Sequence, residues 1–263
     1  MKKEKTSLGI KIKKQFGQHF LRDQSVVDTM LDNVELRNST SVFEIGCGDG
    51  FLTRSILQNP VERLWIFEID PDWATYITKN ITDDRMVMHQ TDFLDVDQSI
   101  FQSHAPWTIL SNLPYQVTFP ILHKFVEMKS LINEGVIMVQ DEVAEKIVKK
   151  HGRGYGFVSL FFQYHFTWKK LVKIAPTAFF PPPKVNSRLL YFKPREHVED
   201  IPDIAEFWKY IKLVFHQPRR TLRNNLVQSH FDLDKVPAHL HTKRAQELTF
   251  EDLISIWNLI RNK

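Results

Sequence analysis

Between residues 41 and 140 the chain alternates short, wholly apolar runs with stretches that place an apolar residue every three or four positions. Apolar runs of four to eight residues suit strands buried on both faces, and the longer period suits amphipathic helices. The pattern predicts strands over 42–45, 64–69, 86–89, 108–110 and 136–139. It predicts helices over 51–58, 71–80, 117–128 and 141–150, the second with Pro71 in its first turn, where a missing N–H does no harm. Strands alternating with helices argue for an α/β fold, a Rossmann-like doubly wound sheet of mainly parallel strands.

Past residue 150 the rhythm changes. Residues 157–166 read as a buried helix, and 171–174 and 187–192 as two closing strands that can run antiparallel. Between them Pro181, Pro182 and Pro183 exclude regular structure and predict a stiff extended loop. Residues 193–202 are polar and hold two prolines, as a linker would. Beyond them only helical periods remain. Ile204, Phe207, Trp208, Ile211, Val214 and Phe215 share one face, as do Phe250, Leu253, Ile254, Trp257 and Ile260, the latter behind a Thr249/Asp252 capping pattern. The expected organisation is a basic N-terminal segment, 1–22, an α/β domain, 23–195, and a small C-terminal all-α domain, 200–263.

Composition narrows the classes. The chain has 263 residues, 43% of them hydrophobic, enough to bury a core. No apolar run approaches the ~18 residues that span a bilayer. The basic N-terminus has no apolar stretch behind it, unlike a signal peptide, and is Lys-rich where a transit peptide is Arg- and Ser-rich. A soluble, cytoplasmic protein is expected, with no membrane partner. The single cysteine, Cys47, rules out an internal disulfide, and the histidines lack metal-ligand spacing, so no metal is expected. Charge is uneven. Residues 1–22 carry seven Lys/Arg against one Glu, and 209–223 carry five Lys/Arg and no acid. Because the whole chain is only +4, the body between them is net acidic. Two basic flanks suit a phosphate backbone, though a solvated tail and an ordinary helix face would have the same composition.

Four segments carry candidate chemistry. Glu44-Ile45-Gly46-Cys47-Gly48-Asp49-Gly50 leaves a predicted strand and enters a helix, where glycines let backbone approach a ligand. A dinucleotide fingerprint would need a third glycine at Phe51, so a nicotinamide cofactor is disfavoured. Glu68, at the end of the second strand, suits a ribose diol, a placement that nicotinamide enzymes and methyltransferases share. Asp92, after the third strand, suits an adenine amino group. Asn112-Leu113-Pro114-Tyr115, after the fourth, resembles the motif of amino-directed nucleic-acid methyltransferases. An adenine N6 lone pair is delocalised into its ring. The Asn112 side-chain oxygen and the Leu113 carbonyl can accept its two N–H bonds and let the nitrogen pyramidalise. Pro114 stiffens the loop, and Tyr115 offers a face on which a base can stack.

Taken together, these motifs resemble the ribosomal RNA adenine-N6 dimethyltransferase family over nearly the whole chain, most closely its bacterial small-subunit branch. Phe16-Gly17-Gln18-His19-Phe20-Leu21 resembles the N-terminal block of that family, and Phe179-Phe180-Pro181-Pro182-Pro183-Lys184-Val185 its proline motif. The stretch from Phe215 to Asn224 resembles an arginine-rich helix block, with Pro218 where a basic residue is usual. The resemblance implies S-adenosylmethionine as cofactor, contacted by His19, Leu21, Gly46, Glu68, Asp92 and Asn112. It implies Asn112, Leu113, Tyr115 and Phe179 at the target base, the two aromatics sandwiching it. Lys13, Lys14, Arg219, Arg220 and Arg223 are expected to bind RNA, with Lys149 to Arg153 adding charge. The implied reaction is dimethylation of two adjacent adenosines near the 3′ end of 16S ribosomal RNA, in the immature small subunit, by a monomer. The residues alone do not separate RNA from DNA; the resemblance supplies that choice.

Overall fold

A computed structural model describes residues 6–227, 229 and 231–261, the side chain of Lys14 excepted. The chain forms two compact units. One comprises residues up to 144 and 167–194; the other comprises 145–166 and 195 onward.

The first unit is built on a seven-stranded sheet. Its strands are β1 (Ser41–Ile45), β2 (Arg63–Phe67), β3 (Met86–His89), β4 (Trp107–Asn112), β5 (Ile132–Gln140), β6 (Phe166–Ile174) and β7 (Ser187–Pro194), in the order β3-β2-β1-β4-β5-β7-β6. Strands β1 to β5 pair in parallel, and β7 runs antiparallel to β5. The order reverses between β1 and β4, and the carboxyl ends of these two strands open a crevice there.

Both faces of the sheet are covered, which explains the continuous apolar runs. Side chains alternate across each strand. Val42, Leu64, Ile66, Leu110 and Val136 pack with Val26, Val27 and Met30 of α1 (Gln24–Leu31) and Ile56 of α2 (Phe51–Leu57). Phe43, Phe67 and Trp107 point the other way, into an aromatic layer with Phe93, Phe101 and Phe125. Helix α3 (Pro71–Asn80) starts where expected because Asp70 caps it, accepting from the Asp72 N–H, with Pro71 at the first position. Helix α4 is Thr118–Glu127, and α5, Asp141–Val148, stops before the predicted residue 150.

The second unit is helical: α6 (Phe157–His165), α7 (Ile204–Val214), α8 (Leu222–Leu226) and α9 (Phe250–Ile260). Its core gathers Phe207, Tyr210, Ile211, Leu222, Leu226, Leu253 and Trp257, together with Tyr155, Leu160 and Tyr164. Those last three bring residues 145–166 into this unit, whereas the sequence pattern grouped them with the sheet. The capping pattern at Thr249 forms fully: its hydroxyl accepts from the Asp252 N–H at 3.1 Å, and the Asp252 carboxylate accepts from the Thr249 N–H at 2.9 Å. The arginine-rich block is not one helix. Helix α7 ends at Val214, Pro218, Arg219 and Arg220 lie in a turn, and α8 begins only after its cap, Thr221. Pro218 lacks the N–H that a continued helix would need.

Candidate active site

At the strand ends of the first unit lies a cavity of about 300 Å³, within the range of small-ligand sites. It is walled by the glycine loop after β1, the ends of β2, β3 and β4, and residues 15–21 of the N-terminal segment. His19, Leu21, Gly46, Glu68, Asp92, Asn112, Leu113 and Tyr115 all line it. Eight expected residues from five separate segments thus meet in one place.

The glycine loop has its shape for a local reason. Gly46 and Gly48 have φ of +72° and +53°, a region that side chains disfavour. A Cβ on Gly48 would also stand 2.8 Å from the Phe20 ring. The turn presents the Gly48 N–H to Glu68, which accepts it at 3.1 Å and accepts the Asp70 N–H at 2.9 Å. Glu68 is buried, and burial raises its pKa from the usual carboxylate range. Asp92 accepts from the Leu94 N–H through one oxygen. Glu44, under the loop, accepts from the Thr53 hydroxyl at 2.6 Å, and burial pushes its carboxyl up to about 8.

The lining therefore holds four carboxyl groups, Glu44, Asp49, Glu68 and Asp92, and neither lysine nor arginine. Arg22 offsets Asp49 from outside the lining and burial favours the neutral form of Glu44, but no cation of the lining itself faces a pyrophosphate. A cationic ligand with a ribose and an amine is matched by the same groups.

Strand β4 runs to Asn112 itself, so the amide sits on the rigid end of a central strand and not in the loop beyond. The Leu113 N–H donates to the Met138 carbonyl, fixing the turn to β5. The Asn112 side chain donates through Nδ2 to the His19 carbonyl at 3.2 Å. A carbonyl can only accept, so the amide nitrogen must face His19, and Oδ1 accepts from none of the described residues. The Leu113 carbonyl receives no hydrogen bond from the described residues. Two adjacent residues of the cavity lining thus each keep an acceptor that takes no hydrogen bond from the described residues.

His19 is held in turn. Its Nδ1 lies 2.7 Å from the Pro181 carbonyl, which requires the proton on Nδ1. Its ring stacks on Tyr115 with centroids 6.1 Å apart. The Tyr115 hydroxyl is hydrogen bonded to Ser187, and burial raises its pKa. Pro181 and Ser187, the latter on β7, thereby hold an aromatic pair in the cavity lining.

Phe179 is not brought into the cavity. It is buried, its backbone pairs with Leu21, and its ring packs in the core between α1 and the sheet. Phe180, its neighbour, points outward and is 42% exposed. Strand alternation decides which of two adjacent phenylalanines faces in, and the motif alone does not. Lys13 does not stand free either. It pairs with Asp70 at 2.6 Å and Asp72 at 2.8 Å. The Lys14 side chain lies outside the described residues.

In the helical unit Arg219, Arg220 and Arg223 are exposed and have no ion-pair partner among the described residues. Two further segments join them: Lys149 to Arg153, as expected, and Lys243 with Arg244, which the charge count hides because 224–263 is neutral overall. Leu222 N–H donates to the Lys243 carbonyl at 2.7 Å, and Thr221 bridges Arg244. Gly152 N–H donates to the Gln246 carbonyl at 3.2 Å, bringing the turn with Lys150 and Arg153 to the same strip. Three segments distant in sequence thus present Lys150, Arg153, Arg219, Arg220, Arg223, Lys243 and Arg244 to solvent.

No helix among the described residues is long and apolar enough to cross a membrane, and no group of three or more metal-ligating side chains occurs among them. A family model described as ribosomal RNA adenine dimethylase matches residues 9–262. A ribosomal RNA small subunit methyltransferase A of Syntrophotalea carbinolica is 34% identical over 260 residues, covering 95% of this chain and 97% of the relative. Its counterpart in Chlorobium phaeobacteroides is 31% identical, covering 96% and 92%. A solved dimethyladenosine transferase from Plasmodium falciparum shares the fold, with a TM-score of 0.77 at 20% identity, over 91% of this chain and 98% of that one. The chain belongs to the ribosomal RNA adenine dimethylase family.

Proposed function

We propose that this chain uses S-adenosylmethionine to dimethylate the N6 amines of two adjacent adenosines near the 3′ end of 16S ribosomal RNA, in the immature small subunit. The observation that carries the reading is the orientation of Asn112, whose nitrogen is tied to His19 so that Oδ1 and the Leu113 carbonyl both remain to accept. Relatives named as small-subunit enzymes support the choice of substrate. The lining of carboxyl groups without lysine or arginine supports a sulfonium cofactor.

When bound, the cofactor supplies an electrophilic methyl group. Glu68 would hold its ribose, Asp92 its adenine amine, and the backbone at Gly46 would allow close approach. His19 and Leu21 wall the same space. On the substrate side, Asn112 Oδ1 and Leu113 O accept the two N–H bonds of the adenine amine. This draws the nitrogen toward a pyramidal geometry and aims its lone pair. The work is orientation on a rigid strand end, worth orders of magnitude in rate. The proton lost after transfer needs no dedicated base, because an alkylated arylammonium is strongly acidic. A second transfer requires the monomethyl amine to return with its one remaining N–H on one acceptor.

Tyr115 serves as the stacking platform. Phe179 backs the loop from the core, and its neighbour Phe180 faces outward. Adenines in RNA loops are already partly unstacked, which lowers the cost of extrusion. The strip around Arg219, Arg220 and Arg223 grips phosphates. The chain acts as a monomer and works in the cytoplasm with its ribosomal substrate.

Incubation of methyl-labelled cofactor with immature small subunits, followed by mapping of modified adenosines, tests the reading. Label confined to two adjacent adenosines near the 3′ end is expected. Label on DNA adenine alone, or none on either nucleic acid, would refute it.

A further inference from the structure

The N-terminal segment holds one cation that the RNA reading does not use well. Lys13 lies 25% exposed against Asp70, a carboxylate with no exposed surface at all. Its Nζ lies 2.6 Å from Asp70 Oδ1 and 2.8 Å from Asp72 Oδ2. Gln18 completes the contact: its Nε2 donates to Asp70 Oδ2 at 2.8 Å, and its Oε1 accepts from the Lys13 N–H at 2.8 Å. Lys13 and Gln18 thus close on each other and, together, on one buried acid.

Residues 15–21, between and just beyond these anchors, form one wall of the cavity. The far end of the segment is fixed by separate contacts. Arg22 pairs with Asp49 at 2.5 Å, and His19 is held by Pro181. Asp70 also reaches into the site through its backbone, since its N–H donates to Glu68, the carboxylate assigned to the ribose. The path from Lys13 to the cofactor therefore has two branches: the wall itself, and Asp70 to Glu68.

We propose that residues 13–22 are a strap latched over the cofactor site, and that Lys13, through Asp70, is a positioning residue for the cofactor and not a grip for RNA phosphate. This rests on the proposed S-adenosylmethionine site but not on the identity of the RNA. A cation engaged by two carboxylates offers a phosphate little net attraction. The same ion pair, half withdrawn from water, is worth more than a fully exposed one.

The test uses the full chain with Lys13→Ala and Lys13→Arg. Binding of S-adenosylmethionine and S-adenosylhomocysteine is measured by calorimetry, release of the latter by stopped flow, and RNA affinity by titration at fixed salt. We expect Lys13→Ala to weaken cofactor affinity about tenfold, in line with loss of one charge-assisted hydrogen bond, and to speed product release. RNA affinity should stay within about twofold, and Lys13→Arg should restore most of the cofactor affinity. Cofactor affinity unchanged in a folded Lys13→Ala chain, with RNA affinity reduced, would overturn the proposal and return Lys13 to the phosphate-binding set. Hydrogen exchange on the unaltered chain gives an independent reading. Amides of residues 15–21 should be better protected with cofactor bound, and equal protection with and without it would contradict the strap. Failure of the unaltered chain to bind either ligand would instead refute the cofactor assignment itself.

Discussion

Around the cavity, polar side chains are tied to neighbours: Asn112 to His19, His19 to Pro181, Tyr115 to Ser187, Glu68 to Gly48 and Asp70. On the helical unit Arg219, Arg220, Arg223, Lys243 and Arg244 have no ion-pair partner among the described residues and stand in solvent. The difference separates two tasks. Tied groups lose little further freedom when a reacting atom arrives, so they suit chemistry. Free, long, exposed cations suit a polyanion whose counterions they displace, and their contributions add one by one.

If this division holds, substitutions in the two regions should move different observables. The largest effect outside the central amide is expected at Tyr115. Tyr115→Ala removes the stacking face and should lower single-turnover rate by roughly ten- to a hundredfold, for ~1–3 kcal/mol of stacking. Tyr115→Phe keeps the face and should remain within a few-fold, losing only the bond to Ser187. Equal damage from both would move the importance of Tyr115 from its ring to its hydroxyl.

Next comes the cationic strip. Replacing Arg219, Arg220 and Arg223 together by Ala should weaken RNA binding and flatten the slope of log affinity against log salt by about 2 to 3. The rate at saturating RNA should be unaltered. A lower saturated rate with an unchanged salt slope would break the comparison.

A smaller, pH-dependent effect distinguishes the cavity floor. The folded-state pKa of Glu44 lies at about 8, above its unfolded value. The folded chain therefore holds a proton that the unfolded chain releases above the ordinary carboxylate range. Stability should be fullest below that range and fall as pH rises toward 8. Glu44→Gln keeps the neutral form at every pH. Its melting temperature should match the unaltered chain near pH 5 and exceed it near pH 8.5. A constant offset at both values would mean that ionisation of Glu44 plays no part.

Much of this was legible in the chain. Strand β3 and helix α3 fall at their predicted limits, because Asp70 and Pro71 mark the helix start. The Thr249/Asp252 pattern forms its box, and six of the eight expected residues converge on the cavity because parallel strands bring their carboxyl ends to one edge, His19 and Leu21 joining from the N-terminal segment. What stayed hidden depended on packing across distance. The place of Tyr155, Leu160 and Tyr164 in the helical core cannot be read from their neighbours in sequence. Counting charge cannot show that Lys13 is engaged by Asp70, nor that Lys243 and Arg244 stand free beside Arg223. A double phenylalanine cannot say which ring faces the core; pairing of Phe179 with Leu21 does.

Methyl transfer turns on two acceptors, one side chain and one backbone, at the end of β4. Asn112→Ala removes one and leaves the Leu113 carbonyl. Single-turnover methyl transfer, measured with cofactor and small subunits both saturating, should fall roughly a hundred- to a thousandfold, the scale for loss of one preorganised partner of a reacting group. RNA affinity should be unchanged, and the melting temperature close to that of the unaltered chain. Transfer within about threefold of the unaltered rate in a folded Asn112→Ala protein would contradict the account.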